Sequence, residues 1–170
     1  MTTIANEDNI RASLSSRDRL GPDCWGCGPE SPDGLRADYR FDEETGEVRM
    51  TYTIRPSLRG APGYSHGGVL ASLLDEGQGV LCFHLGYPVM TEQLHIKYHK
   101  DTPLEQPHSI RCWTTASRRR RLYTKAELKN EAGDLLVSSR ASWYILNDRL
   151  LHRMFAAGHQ KEFAMLRDML

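Results

Sequence analysis

The stretch GYSHGGVLASLLDE, residues 63 to 76, opens the long helical segment in the middle of the chain and decides the fold. From Gly67 the apolar residues recur at helical spacing to about Leu85, where Gly86 and Pro88 end the run. Wound at about 3.6 residues per turn, Val69, Leu70, Leu73, Leu74, Val80 and Leu81 gather on one broad side. Gly68, Ala71, Ser72, Asp75, Gln78, Gly79 and Cys82 share the other. The first side has the composition of a core contact. The second carries small residues and one carboxylate where a solvated face would carry Lys and Glu, so another backbone can come close. A subunit contact or a cleft wall is expected there.

On either side of this helix the period changes from 3.6 to 2. Leu35, Ala37, Tyr39 and Phe41 alternate with polar residues, as do Val48, Met50, Tyr52 and Ile54, and the turn at Glu43 to Gly46 makes the two runs a hairpin. Four more alternating runs follow residue 88: Met90-Leu94-Ile96-Tyr98, Ile110-Cys112, Leu122-Ala126-Leu128 and Leu135-Val137-Ala141-Trp143-Ile145. Asn130 to Asp134, with Gly133, joins the last two as antiparallel neighbours. The expectation is an α+β domain, a sheet of about six antiparallel strands twisted around one long central helix. Residues 23 to 148 make this domain. Residues 1 to 22, with Ile4, Ile10, Leu14 and Leu20, read as an accessory helix stopped at Gly21-Pro22, and residues 149 to 170 as a closing helix.

Composition narrows the function classes. The 170 residues suit one domain, and 22 basic against 22 acidic residues give no bias toward nucleic acid or an anionic membrane. No run is long and apolar enough to span a bilayer, and MTTIANEDNIRASLSSRDRL lacks the apolar core of a secretory signal, so the expected compartment is cytoplasmic. Four cysteines make no disulfide framework. Cys24 and Cys27, in the compact loop DCWGCGPESPDGL, look like half of a zinc knuckle. No second Cys or His pair follows at knuckle spacing, so a turn with two buried thiols is favoured, with neither metal nor cofactor expected.

GYSHGGVLASLLDE followed by MTEQLHIKYHK, residues 90 to 100, resembles the hotdog-fold thioesterases of the phenylacetate-pathway type and their HGG-motif relatives. CWGCGPESPDGL resembles the Cys-x-x-Cys-Gly loop that precedes the first strand in many of them. The likeness runs from residue 24 to 146. His-Gly-Gly alone is weak; it gains weight from Asp75 nine residues after His66 and Thr91 sixteen after Asp75, in a strand, helix, strand context. The resemblance implies a hotdog fold, an acyl-CoA substrate whose CoA is no separate cofactor, and a homodimer whose two sheets join edge to edge into one long sheet. It also implies active sites at the subunit interface, in a dimer or a dimer of dimers.

Thioester hydrolysis needs a group to activate water and donors to steady an oxyanion. Asp75, the acid on the small-residue side, is the candidate general base or nucleophile, and the resemblance puts the catalytic carboxylate at this position. Gly67 and Gly68 open the helix, where free N–H groups face a developing negative oxygen; Gly68 N–H is the candidate oxyanion donor. His66 is read as orienting this loop, with capping or a bond to the substrate carbonyl as alternatives. Thr91 stands where the resemblance expects a hydroxyl that holds water or assists the carboxylate. In an unbroken strand it would share a face with Gln93, His95 and Lys97, so a bulge or the strand's start must set its direction.

Glu76 points about 100° away from Asp75 around the helix and is read as a structural or substrate-side group. Of Arg118 to Arg121, Arg118 and Arg120 are the candidates for CoA phosphates. Leu20, Trp25, Phe83 and Met90 are tunnel-lining or core residues. Two rivals stand beside hydrolysis: a hydratase or dehydratase on the same fold, and an acyl-CoA-binding protein without turnover.

Overall fold

The computed structural model of the protein describes residues 21–155. The expected N-terminal helix lies outside the described residues, as does the expected closing helix beyond Phe155. The order is β1 (Arg40–Asp42), β2 (Glu47–Thr53), a 3-10 turn (Pro56–Leu58), α1 (Gly67–His84), β3 (Val89–Tyr98), β4 (Pro107–Arg118), β5 (Arg121–Lys129), β6 (Leu135–Ile145) and α2 (Asp148–Phe155). The strands form one antiparallel sheet in the order β1-β2-β4-β5-β6-β3. α1 packs against β2, β3, β4, β5 and β6, so the twisted sheet wraps the helix as the sequence periods require. No described helix is long and apolar enough to cross a membrane.

Leu70, Leu73, Leu74, Val80 and Leu81 of α1 meet Val48, Met50, Ile110, Cys112, Ala126, Leu128 and Val137 in the core. Val69 is only partly buried and packs at its margin. The helix comes close enough at Gly77 that a methyl group there would lie 2.7 Å from the Tyr39 ring and 2.8 Å from the Cys112 sulfur. Tyr39 donates its hydroxyl to the Leu73 carbonyl, satisfying a buried phenol.

Two sequence expectations change. Leu35, Ala37 and Tyr39 are buried as their alternation demands, yet only residues 40–42 join the sheet. The preceding residues pair instead with the folded-back loop, through Leu35 N–H to the Trp25 carbonyl at 2.8 Å and Ala37 N–H to the Gly26 carbonyl at 3.0 Å. The small-residue side of α1 is also not one open face. Gln78, Gly79 and Cys82 are buried, and only the first half, from Gly68 to Asp75, is partly or fully exposed. The sheet curls over the C-terminal half of the helix, where the Trp143 ring occupies the space left by Gly79.

Gln78 anchors that buried half. Its amide nitrogen donates to the Ser139 hydroxyl at 2.8 Å and to the Leu74 carbonyl at 2.9 Å. Its amide oxygen accepts from the Thr124 hydroxyl at 2.7 Å, which in turn accepts from Trp143 Nε1 at 2.7 Å. Helix, β5 and β6 are thus joined by a satisfied polar chain in an apolar core. Gln78→Leu would strand the Thr124 and Ser139 hydroxyls; the expected loss is about 1–3 kcal/mol, read as a lower urea midpoint at unchanged slope.

Candidate active site

α1 begins at a built N-terminus. His66 is the cap, in extended backbone, and its Nδ1 accepts the Gly68 N–H at 3.0 Å. Nδ1 is therefore the acceptor nitrogen, and the neutral ring carries its proton on Nε2. The Gly67 N–H has no acceptor among the described residues. Tyr98, at the far end of β3, donates to the Gly67 carbonyl at 2.8 Å, and His66 N–H donates to the Leu58 carbonyl at 3.0 Å. The His-Gly-Gly turn is held from both sides, with Gly68 N–H engaged by His66 rather than free.

Two turns along, Asp75 meets Thr91. The Thr91 hydroxyl lies 3.1 Å from Oδ1 and 3.4 Å from Oδ2 and donates to the carboxylate. Its direction comes from an irregularity in β3. Thr91 pairs with Trp143 and Gln93 with Ser142, so Glu92 is an extra residue between adjacent register positions. Thr91 therefore lies on the helix side while Gln93 faces out. Burial pushes the half-buried Asp75 carboxyl above the ordinary carboxylate value, against the Thr91 hydrogen bond, which pulls it down.

Glu76 leaves the helix toward the 23–34 loop, where it accepts from the Cys24 thiol at 3.5 Å. Burial lifts it to about 7. It does not share the Asp75–Thr91 contact. Arg118 to Arg121 form the exposed tip of the β4–β5 hairpin. Arg121 and Met90 both pair with Tyr144, so the tip lies at the same end of the sheet as Thr91. Arg121, not one of the two candidates, forks onto Glu92 at 2.6–3.1 Å, and Glu92 also accepts from Ser142 at 3.0 Å. Arg120 reaches the Tyr144 hydroxyl at 3.3 Å. Trp25 and Met90 are exposed, Phe83 is partly buried, and Leu20 lies outside the described residues.

Gln78, Tyr98 and the Glu92–Arg121 pair were missed as positioning groups. Gln78 was visible as the one amide in the otherwise small and apolar run Gly77 to Cys82; the others carry no local signal. Two surface clefts open on the outer sheet face around His95, Lys125 and Arg140, away from Asp75 and Thr91. His66→Ala removes the acceptor for Gly68 N–H and is expected to cost about 1 kcal/mol in thermal or urea unfolding, most of which His66→Asn, a good cap, recovers.

Residues 62–137 match the sequence pattern of the family described as the thioesterase superfamily. The chain is 26% identical over 115 residues to the acyl-coenzyme A thioesterase THEM4 of Xenopus laevis, covering 66% of this chain and 52% of that one. It thus spans about half the length of that curated relative. A solved thioesterase superfamily protein superposes with a TM-score of 0.67 at 31% identity, over 75% of this chain and 63% of the other. A hypothetical thioesterase from Streptococcus pneumoniae, solved with coenzyme A, shares the fold at a TM-score of 0.58 and 24% identity, over 60% of this chain and 82% of that one. The sheet wrapped around α1 is the hotdog fold, and residues 62–137 are similar in sequence to the thioesterase superfamily.

Proposed function

We propose that this chain hydrolyses acyl-CoA thioesters, with Asp75 as general base or nucleophile. The observation that carries the reading is the Asp75–Thr91 contact on the open half of a helix that begins with two glycines. The relative named as an acyl-coenzyme A thioesterase supports the substrate class, as does the neighbour of the same fold that holds coenzyme A. In the base route Asp75 takes a proton from water, the hydroxide adds to the carbonyl carbon, and collapse breaks the C–S bond while Asp75 returns the proton to the departing thiolate, giving acid and thiol. Thr91 keeps the carboxylate, or the water, in line. The negative oxygen is steadied at the helix opening, by Gly67 N–H and by Gly68 N–H once His66 yields it to the stronger acceptor.

A second copy completes the site. β3 is a ten-residue edge strand at one end of the sheet. Long edges of this kind seek a partner, and pairing of two such edges extends the sheet in a homodimer. Arg118 and Arg120 are then the groups offered to CoA phosphates, since Arg121 is already taken by Glu92.

Thiol release from short, long and aromatic acyl-CoA esters tests the proposal. Asp75→Asn is expected to lower turnover by about 10²–10⁴ while leaving the fold intact. Turnover that survives shifts the role to Glu76; binding without turnover in the wild type means an acyl-CoA sensor, and hydration of an unsaturated ester means a hydratase.

The pH profile adds a separate reading. Asp75 must be ionised to accept a proton, so turnover rises with pH through a pKa that burial has moved up from 3.8. Thr91→Ala removes the bond that holds this value down, and the acid limb is expected to shift to higher pH with a loss of roughly tenfold or more in the plateau. An unmoved limb would assign Thr91 to something other than the carboxylate.

A further inference from the structure

About 100° around α1 from the Asp75–Thr91 contact, beneath the loop before β1, three metal-binding side chains converge. Cys24 and Cys27 come from the loop before β1, and Glu76 comes from the helix. One ligand atom from each lies within 4.8 Å of the other two, and Cys24 Sγ is 3.5 Å from Glu76 Oε1. A tetrahedral ion with bonds of about 2.3 Å to sulfur and about 2.0 Å to oxygen holds those two donors roughly 3.5 Å apart. Cys24 and Glu76 already have the donor spacing that such an ion demands, and a Cys27 ligand atom lies within 4.8 Å of both.

The loop is shaped for the task. Gly28 N–H closes the turn on the Cys24 carbonyl at 2.8 Å. A methyl group on Gly26 would lie 2.3 Å from the Glu76 carboxyl carbon, so the close approach of loop and carboxylate requires glycine there. Hydrogen bonds from Leu35 and Ala37 to Trp25 and Gly26 fix the loop to the domain. Cys27 is fully buried. Among the described residues no Lys or Arg pairs with Glu76, so this carboxylate, enclosed with two thiols, lacks a cationic partner.

We propose that Cys24, Cys27 and Glu76 bind one thiophilic divalent cation of the zinc class, with water as the fourth ligand. Two thiolates and a carboxylate select a soft or borderline ion over magnesium or calcium. Binding releases the two thiol protons and ties the loop to the helix turn that carries Asp75. The ion is a clamp, and thioester cleavage does not pass through it. The spacing of the two cysteines supplies only half of a site; the folded helix supplies the third donor.

The test uses the full chain, purified under reductant, stripped with a chelator and titrated with Zn²⁺ alone. One zinc per chain by elemental analysis is expected, with a rise in melting temperature. Co²⁺ in its place should give sulfur-to-cobalt charge-transfer absorption and tetrahedral d–d bands. The Cys24→Ser/Cys27→Ser double variant should bind none, and Glu76→Gln should weaken binding by about tenfold or more. Three results would each overturn the proposal: no zinc taken up by reduced wild type, equal affinity in the double variant, or full affinity in Glu76→Gln. A chain that takes no metal when reduced but loses two mass units in air is a dithiol redox pair instead. These readouts do not depend on turnover, so failure here leaves the thioesterase proposal standing.

Discussion

The orientation of α1 rests on one buried amide. A helix whose apolar side spans Leu70, Leu73, Leu74, Val80 and Leu81 can roll by tens of degrees and still bury most of its surface. Gln78 removes that freedom, because its two polar atoms have partners at fixed places: Thr124 on β5, Ser139 on β6 and the helix's own Leu74 carbonyl. Rolling the helix would pull Gln78 away from Thr124 and Ser139 in a low-dielectric interior, which costs more than the sliding of apolar contacts. Asp75 and Glu76 are three and two residues upstream, so the amide that fixes Gln78 also aims both carboxylates.

Those two neighbours then live in different surroundings. Asp75 looks to β3 and receives a hydroxyl; Glu76 looks to the 23–34 loop and receives a thiol. Burial raises both, Glu76 further. A single helical step separates a carboxylate on the open half of the molecule from one enclosed beneath a loop, and the chemistry open to each follows from that step rather than from its intrinsic acidity.

Much of the frame was legible in the sequence because it is written in local periods. The bounds of α1, the β1–β2 and β5–β6 hairpins and the inward residues of β2, β4, β5 and β6 all follow from spacing and turn residues. What resisted reading depends on contacts between distant segments. Leu35 to Tyr39 has the alternation of a strand, but its backbone partner is the loop at Trp25 and Gly26, which no period announces. Gln78, Gly79 and Cys82 belong by angle with Asp75, yet the sheet covers one half of the helix and leaves the other open. The candidate site was legible as residue types, with Asp75 and the glycines on one helix and Thr91 on the strand beside it. The cap that occupies Gly68 N–H and the pairing of Arg121 with Glu92 emerged only with the fold.

The extra residue in β3 has a consequence for how such a strand is detected. Before Glu92 the odd-numbered positions, Val89 and Thr91, face the helix; after it the even-numbered positions, Leu94 and Ile96, do so. A period-two signal summed over all ten residues therefore interferes with itself, each half cancelling the other. Skip Glu92 and the two halves come back into phase. The residue that holds no place in the ladder is thus what hides the true facing of Thr91, and of the exposed Met90 beside it, from any count that treats the segment as one wave.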